Sequence, residues 1–264
     1  MRTIVVVNQK GGTGKTTTAV TLAHYLALRG TPTLIIDTDT QGHVAVALGI
    51  KKGPGIKRLI DRAANGLTDP LPITNARPNL DAILSDQTTR NAKRTLAAMD
   101  FRESVLQKAL AEVGDRYDVA VVDCAPSADV LHISALVAAT DILIPTRLDH
   151  LAVDGVNEVL KTIAQIRECA EGRGLMIRGI IPTFYERRTN ETTLQLNALV
   201  SAFGGLVMPP IPADVRLREA PAFGQTIWEY RPRTNAVIGV QRNQGGRRFG
   251  GYRALALLME DWLR

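Results

Sequence analysis

The stretch NQKGGTGKTTT, residues 8–18, follows the apolar run TIVVV (3–7) and precedes AVTLAHYLALRG (19–30). A short β-branched run reads as a buried strand, and apolar residues three or four apart read as an amphipathic helix. Ala19, Leu22, Ala23, Leu26 and Ala27 share one helical face, and Gly30 is placed to end the helix. A glycine cluster between a strand and a helix is the context of a phosphate-binding loop. Gly11, Gly12 and Gly14, with Thr13 among them, let backbone amides approach phosphate oxygens without a Cβ in the way. The N-terminus of the following helix adds fixed positive potential. Lys15 is placed to reach the β- and γ-phosphates of a nucleotide and Thr16 to offer its hydroxyl to Mg²⁺, with Thr17 beside it. The stretch holds a second lysine, Lys10. Its spacing leaves two roles open, a further contact to the same nucleotide or an exposed position.

Outward from this loop the pattern repeats. Apolar runs at 33–37, 80–84, 118–122, 141–145, 177–183 and 205–211 read as strands, mostly without polar alternation, as in a parallel sheet buried on both faces. Helix-like segments lie between them, including NEVLKTIAQIRECAEG (157–172) and NETTLQLNALVSAFGG (190–205). The expected fold is a doubly wound α/β domain, a mostly parallel sheet flanked by helices, in a single unit over 1–264. Residues 51–78, rich in Lys, Gly, Pro and Asn, read as a surface excursion, and 241–253 as an Arg/Gly-rich loop before a final apolar helix. Ligands of such folds sit at the carboxyl ends of strands. Asp37 and Asp39 end one run in IDTDTQG, and Asp123 ends another in VVDCAPS, so carboxylates for a magnesium site fall where they are needed.

The net charge is +6, with 32 Lys plus Arg against 26 Asp plus Glu. From Ala213 onward there are nine arginines, five acids and no lysine, which suits a polyanion partner or a plain solvated surface. No apolar run approaches the roughly 18 residues of a membrane span, and the N-terminus lacks the layout of a signal peptide, so a cytoplasmic location is expected. Cys124 and Cys169 form no metal-ligand spacing, and Cys124 reads as a buried small hydrophobe.

In order, KGGTGKTT, IDTDTQG, VVDCAPS, ILIPTRLDHLAVDG and IPADVRLREAPAFGQTI resemble the ParA/Soj group of partition ATPases, within the MinD/ParA class of P-loop NTPases with a deviant Walker A motif. The resemblance covers roughly residues 1–240. It implies ATP and Mg²⁺ as cofactors and slow hydrolysis of ATP, stimulated by a ParB-like or cargo-adaptor protein. It makes Lys10 the signature lysine, which crosses to the partner's nucleotide in an ATP-bound homodimer. Asp39 then resembles the aspartate that positions the attacking water, Asp37 and Asp123 the outer Mg²⁺ ligands, Gln41 and Gly42 the rest of the switch, and Pro212 part of the adenine pocket. Arg188 and Arg216 match positions that bind double-stranded DNA without sequence preference, which implies nucleoid association when ATP is bound. One departure stands nearby: Ala213-Asp214 replaces a common Arg-Asn, losing one basic residue and gaining an acid, and Arg187, Arg247 and Arg248 are candidates to compensate. The leading expectation is an ATPase that positions plasmid, chromosome or other large cargo. The alternative is a MinD-like regulator on a membrane or scaffold. The acidic Glu260 and Asp261 in the last helix favour the first, with no membrane partner expected.

Overall fold

The β-branched runs build one seven-stranded sheet: β1 Arg2–Val6, β2 Thr33–Asp37, β3 Thr74–Arg77, β4 Leu80–Ile83, β5 Val119–Asp123, β6 Asp141–Arg147 and β7 Met176–Thr183. The computed structural model describes residues 1–169, 174–241 and 248–263. The strand order is β3-β4-β2-β5-β1-β6-β7, parallel throughout except for β3, which runs antiparallel to β4. Helices α1 Lys15–Leu28, α2 His43–Ala47, α3 Gly55–Ala64, α4 Thr89–Ala97, α5 Val105–Glu112, α6 Val130–Ala138, α7 Ala152–Cys169 and α8 Asn190–Phe203 connect the strands or follow the last. Short helices α9 Arg216–Glu219, α10 Ile227–Tyr230 and α11 Asn235–Ile238 lead to a small hairpin, β8 Val240–Gln241 with β9 Arg248–Phe249, and then to α12 Tyr252–Leu263.

Pleating sends alternate side chains of β1 to opposite faces. Ile4 and Val6 pack with Leu22, Leu26 and Tyr252 of α1 and α12, whereas Val5 and Val7 pack with Leu131, Val156 and Leu199 of α6, α7 and α8. From β1 the chain crosses to β2 on one side, and from β5 it crosses β1 to β6 on the other. Such opposed crossovers put their helices on opposite faces and open a crevice at the strand ends between them. The loops after β1 and β5 meet there.

Two segments differ from their sequence reading. The expected surface excursion at 51–78 contains α3, whose Ile56, Leu59 and Ile60 are buried in the core, and β3, which closes the sheet edge; the stretch 63–70 is exposed. Residues 205–211, read as a strand, make only an isolated bridge from Val207 to Ile180 beside β7. Pro209 and Pro210 have no N–H to give to a ladder, which explains why no eighth strand forms. Part of the Arg/Gly-rich loop, 242–247 with Arg247, lies outside the described residues. The final helix buries Tyr252, Leu255, Ala256 and Met259 against α1, so its apolar face is used inside the fold.

At the end of α2 the chain turns through Gly49, at φ +64°, and rests on Gly224, at φ +62°. A Cβ on Gly49 would lie 2.6 Å from Gly224 O and 2.8 Å from its Cα. Gly49→Ala therefore combines left-handed strain with a backbone clash, and we expect a loss of at least about 1–3 kcal/mol in denaturant unfolding. An unchanged midpoint would show that the two segments separate at little cost.

Candidate active site

Residues 8–15 leave β1 and fold over its carboxyl end. The buried Asn8 fixes the start of the loop: its Nδ2 donates to Pro145 O (2.9 Å) on β6, and its Oδ1 accepts from Lys10 N (2.9 Å). Thr183 Oγ1, at the end of β7, donates to Thr13 O (2.9 Å). Gly14 takes φ +88°, and no side chain caps the first turn of α1. The leading amides of that helix are thus left for a ligand. A Cβ placed on Gly11 or Gly12 would meet nothing within 4 Å, so the glycines border open space. Lys15 is buried, with Nζ donating to Lys10 O (2.8 Å) across the loop. Burial lowers its pKa, opposed by Asp123 and Asp39.

Lys10 is placed differently. Its Nζ forms a two-pronged ion pair with Asp149, 2.7 and 2.6 Å from Oδ1 and Oδ2, on the turn beyond β6. Burial works to raise the Asp149 pKa, but the Lys10 hydrogen bond, the Leu151 amide and the nearby positive charge outweigh it, so the carboxyl sits below its ordinary value. Asn8 and Asp149 were not singled out in the sequence, although both lie in quoted motifs. Only the fold shows what they hold.

The three strand-end aspartates do converge. Asp37 and Asp123 are direct register partners on β2 and β5. Asp37 Oδ1 accepts from Asp39 N (2.9 Å) and Oδ2 from Val44 N (3.1 Å). Asp39 Oδ1 accepts from Gln41 N (3.0 Å), while its carbonyl takes the Ser85 hydroxyl and Gln41 O takes Lys52. Asp123 is fully buried, and neither carboxylate oxygen has a hydrogen-bond partner. Burial first, then the charge of Asp37, drives its pKa well above the ordinary value; the Thr16 hydroxyl opposes the shift without reaching hydrogen-bond geometry. Burial likewise raises Asp37 from 3.8 to about 7, against the pull of its two amide donors. A buried carboxylate with no donor is a vacancy for positive charge. Among the described residues no group of three or more His, Cys, Asp or Glu is arranged to hold a metal unaided. That fits a magnesium ion, which binds through one or two protein oxygens and keeps water and substrate phosphate for the rest. Thr16, Asp37 and Asp123 are the residues whose oxygens would hold it.

A cleft of about 490 Å³ runs from Gly14 and Thr17 past Thr183 and Phe184 to Pro212. Pro212 thus lines the same cavity as the glycine loop. Arg188 and Arg216 are both exposed, on stretches that run side by side: Tyr185 N donates to Ile211 O (3.0 Å) and Ala213 N to Tyr185 O (2.9 Å). Asp214 is turned inward, with only 3% of its side chain exposed, accepting from Arg216 N (3.1 Å). The acid gained at this position is spent on the local turn and does not face solvent. Cys124 is buried, and burial pushes its thiol up.

Asp37 gives a pH test. The native protein holds its proton up to about pH 7, and the unfolded chain releases it near 3.8. This contribution to stability is full below the lower value and lost as pH rises through the upper one. Asp37→Asn carries no charge. In the absence of nucleotide its thermal midpoint should exceed wild type at about pH 8, and the gap should narrow at about pH 5. A gap independent of pH would contradict the shift.

Residues 1–173 match the family model described as an AAA domain. The chain is 36% identical to the chromosome-partitioning ATPase Soj of Treponema pallidum, across 87% of this chain and 90% of that protein. Among solved structures, the ATP complex of an aspartate-to-alanine variant of Cyanothece McdA superposes with a TM-score of 0.77 at 26% identity, covering 87% of this chain and 90% of the other. The cobyrinic acid a,c-diamide synthase of Mycobacterium smegmatis, with an ATP analogue and magnesium, gives 0.72 at 26%, covering 96% and 99%. Identity at the level shared with Soj, sustained over most of both chains, is that of family members: the chain belongs to the Soj/ParA family of chromosome-partitioning ATPases.

Proposed function

We propose that the chain hydrolyses ATP slowly as an ATP-bound homodimer, binds duplex DNA without sequence preference in that state, and positions a plasmid, a chromosome or another large cargo. A ParB-like or cargo-adaptor protein would stimulate turnover. The observation that carries this reading is the division of labour between two lysines. Lys15 lies within its own phosphate loop, and Lys10 is turned out to Asp149 on the rim.

In this reading the loop amides and Lys15 hold the phosphates, and the cleft ending at Pro212 takes the base. Thr16 and, through water, Asp37 and Asp123 would hold magnesium, which would supply positive charge to offset the phosphate oxygens. Asp39, kept rigid by Gln41 N and Ser85, orients the attacking water. Positioning and charge stabilisation supply most of the catalysis in phosphoryl transfer. Lys10 leaves Asp149 and reaches the partner's nucleotide, so the two subunits join only where triphosphate is present. ATP and magnesium in the structural neighbours, and partitioning in the Soj relative, support this reading. The MinD-like alternative is less well supported: α12 spends its apolar face on the core, and no described helix is long and apolar enough to cross a membrane.

Two measurements test it. Lys10→Ala should still bind ATP but fail to dimerise with it in light scattering. Asp149→Asn should dimerise up to about thirtyfold more tightly, because two partly exposed ion pairs open per dimer and each is worth about 0.2–1 kcal/mol. Dimerisation of the Lys10 variant at wild-type strength would refute the trans role. In a shift assay on two unrelated duplexes, wild type should bind both equally and only with ATP, with affinity falling steeply with salt. The Arg188→Ala/Arg216→Ala variant should dimerise normally and lose most of that binding. Equal binding by the two proteins would remove these arginines from the surface.

A further inference from the structure

The stretches carrying Arg188 and Arg216 have a third neighbour, the β8–β9 hairpin. A two-stranded ribbon alone is only marginally stable. This one is seated. Arg187 Nη1 donates to Gln241 O (2.6 Å) on β8, and the Phe249 ring of β9 meets Tyr185 edge-on at 6.3 Å between centroids. Beyond β9, Gly251 N donates to Pro210 O (2.9 Å). Within the ribbon, Arg248 Nη1 donates to Gly239 O (2.8 Å). Both arginines are exposed.

The chemistry of these contacts matters. Arg187 and Arg248 are bound by backbone carbonyls, which orient a guanidinium without neutralising its charge. Each has five N–H donors and spends one here, leaving the others for a ligand. Arg188 has no hydrogen bond or ion pair among the described residues, and Arg216, 53% exposed, reaches the inward Asp214 with one Nη1 contact at 3.4 Å and keeps its other donors. Glu186, an exposed acid next to Arg187, accepts the Thr189 hydroxyl (3.1 Å) and, among the described residues, no arginine. Three adjoining segments therefore present exposed arginine, offset in part by Asp214 at Arg216 and by Glu186, with free donors of a kind that suits the oxygens of successive phosphates.

We propose that the β8–β9 ribbon is a second DNA-contacting element of each subunit. Arg187 and Arg248, set by carbonyl contacts, extend along the phosphate backbone the surface begun by Arg188 and Arg216. The proposal rests on the non-specific DNA binding set out above.

The experiment measures duplex affinity of the ATP-loaded protein between about 50 and 200 mM salt for wild type, R187Q/R248Q and R187K/R248K, with ATP-driven dimerisation and thermal midpoint recorded for each. Removing two phosphate contacts per subunit removes four per dimer. At about 0.9 released counterions per contact, wild-type affinity should fall about a hundredfold more than that of R187Q/R248Q over this range. The lysine pair should restore most of the slope, and dimerisation should not change. A wild-type slope in R187Q/R248Q overturns the proposal and leaves the DNA-binding reading intact. Failure of the lysine pair to recover the slope shows that the arginines act through structure, and also overturns it. If wild type itself shows no ATP-dependent binding, the reading falls and the proposal with it.

Discussion

Two carboxylates face each other across a pair of parallel strands, and much of the molecule is arranged around that fact. Asp37 and Asp123 are register partners at the ends of β2 and β5, both buried. Two like charges so placed in a medium of low polarity do not both ionise unless positive charge arrives. The chain supplies some of it locally, as two amides on Asp37 and the nearby Lys15, and leaves Asp123 without a donor. The protein's own groups therefore leave the pair of carboxylates short of positive charge, which a cation bound with phosphates would supply. The same amides that hold Asp37 belong to Asp39 and to the first turns of α2, so the switch loop is fastened to the carboxylate that the cation would engage.

The division of the two lysines follows from the same logic. A single ammonium within the loop is enough to anchor phosphate. A second one held there by its own subunit would add affinity without adding information. Lys10 is instead paired with Asp149, and since both side chains are partly exposed the pair would open at modest cost in the proposed dimer. In the proposed dimer, a partner's triphosphate would offer more negative charge than one carboxylate and would draw Lys10 away.

Most of the site was legible in the sequence because its motifs are local. The glycine loop, Lys15, Thr16 and the aspartates ending apolar runs are each defined by a few adjacent residues, and the fold brings them together at one crevice. What was not legible is tertiary. Asn8 reaches β6, Ser85 reaches Asp39 and Asp149 reaches Lys10, all across long separations. The role proposed for Lys10 comes from the family pattern, since spacing alone left it open. Within the fold, Ile56, Leu59 and Ile60 show helical spacing, but the surrounding Lys, Gly and Pro masked it. The run at 205–211 looked like a strand by its apolar content, although its two prolines had already removed the donors a strand requires.

The contact of Gly49 with Gly224 has a mechanical side. Packed side chains yield by changing rotamer, and so absorb small displacements of the elements that carry them. Two bare backbones in contact have no such slack. α2 is fastened to Asp37 at one end through Val44 N and rests through Gly49 on Gly224 at the other. A displacement at the carboxylate would meet no side chain at that contact to absorb it, and the chain on its far side runs back through Pro221 and Glu219 to Arg216.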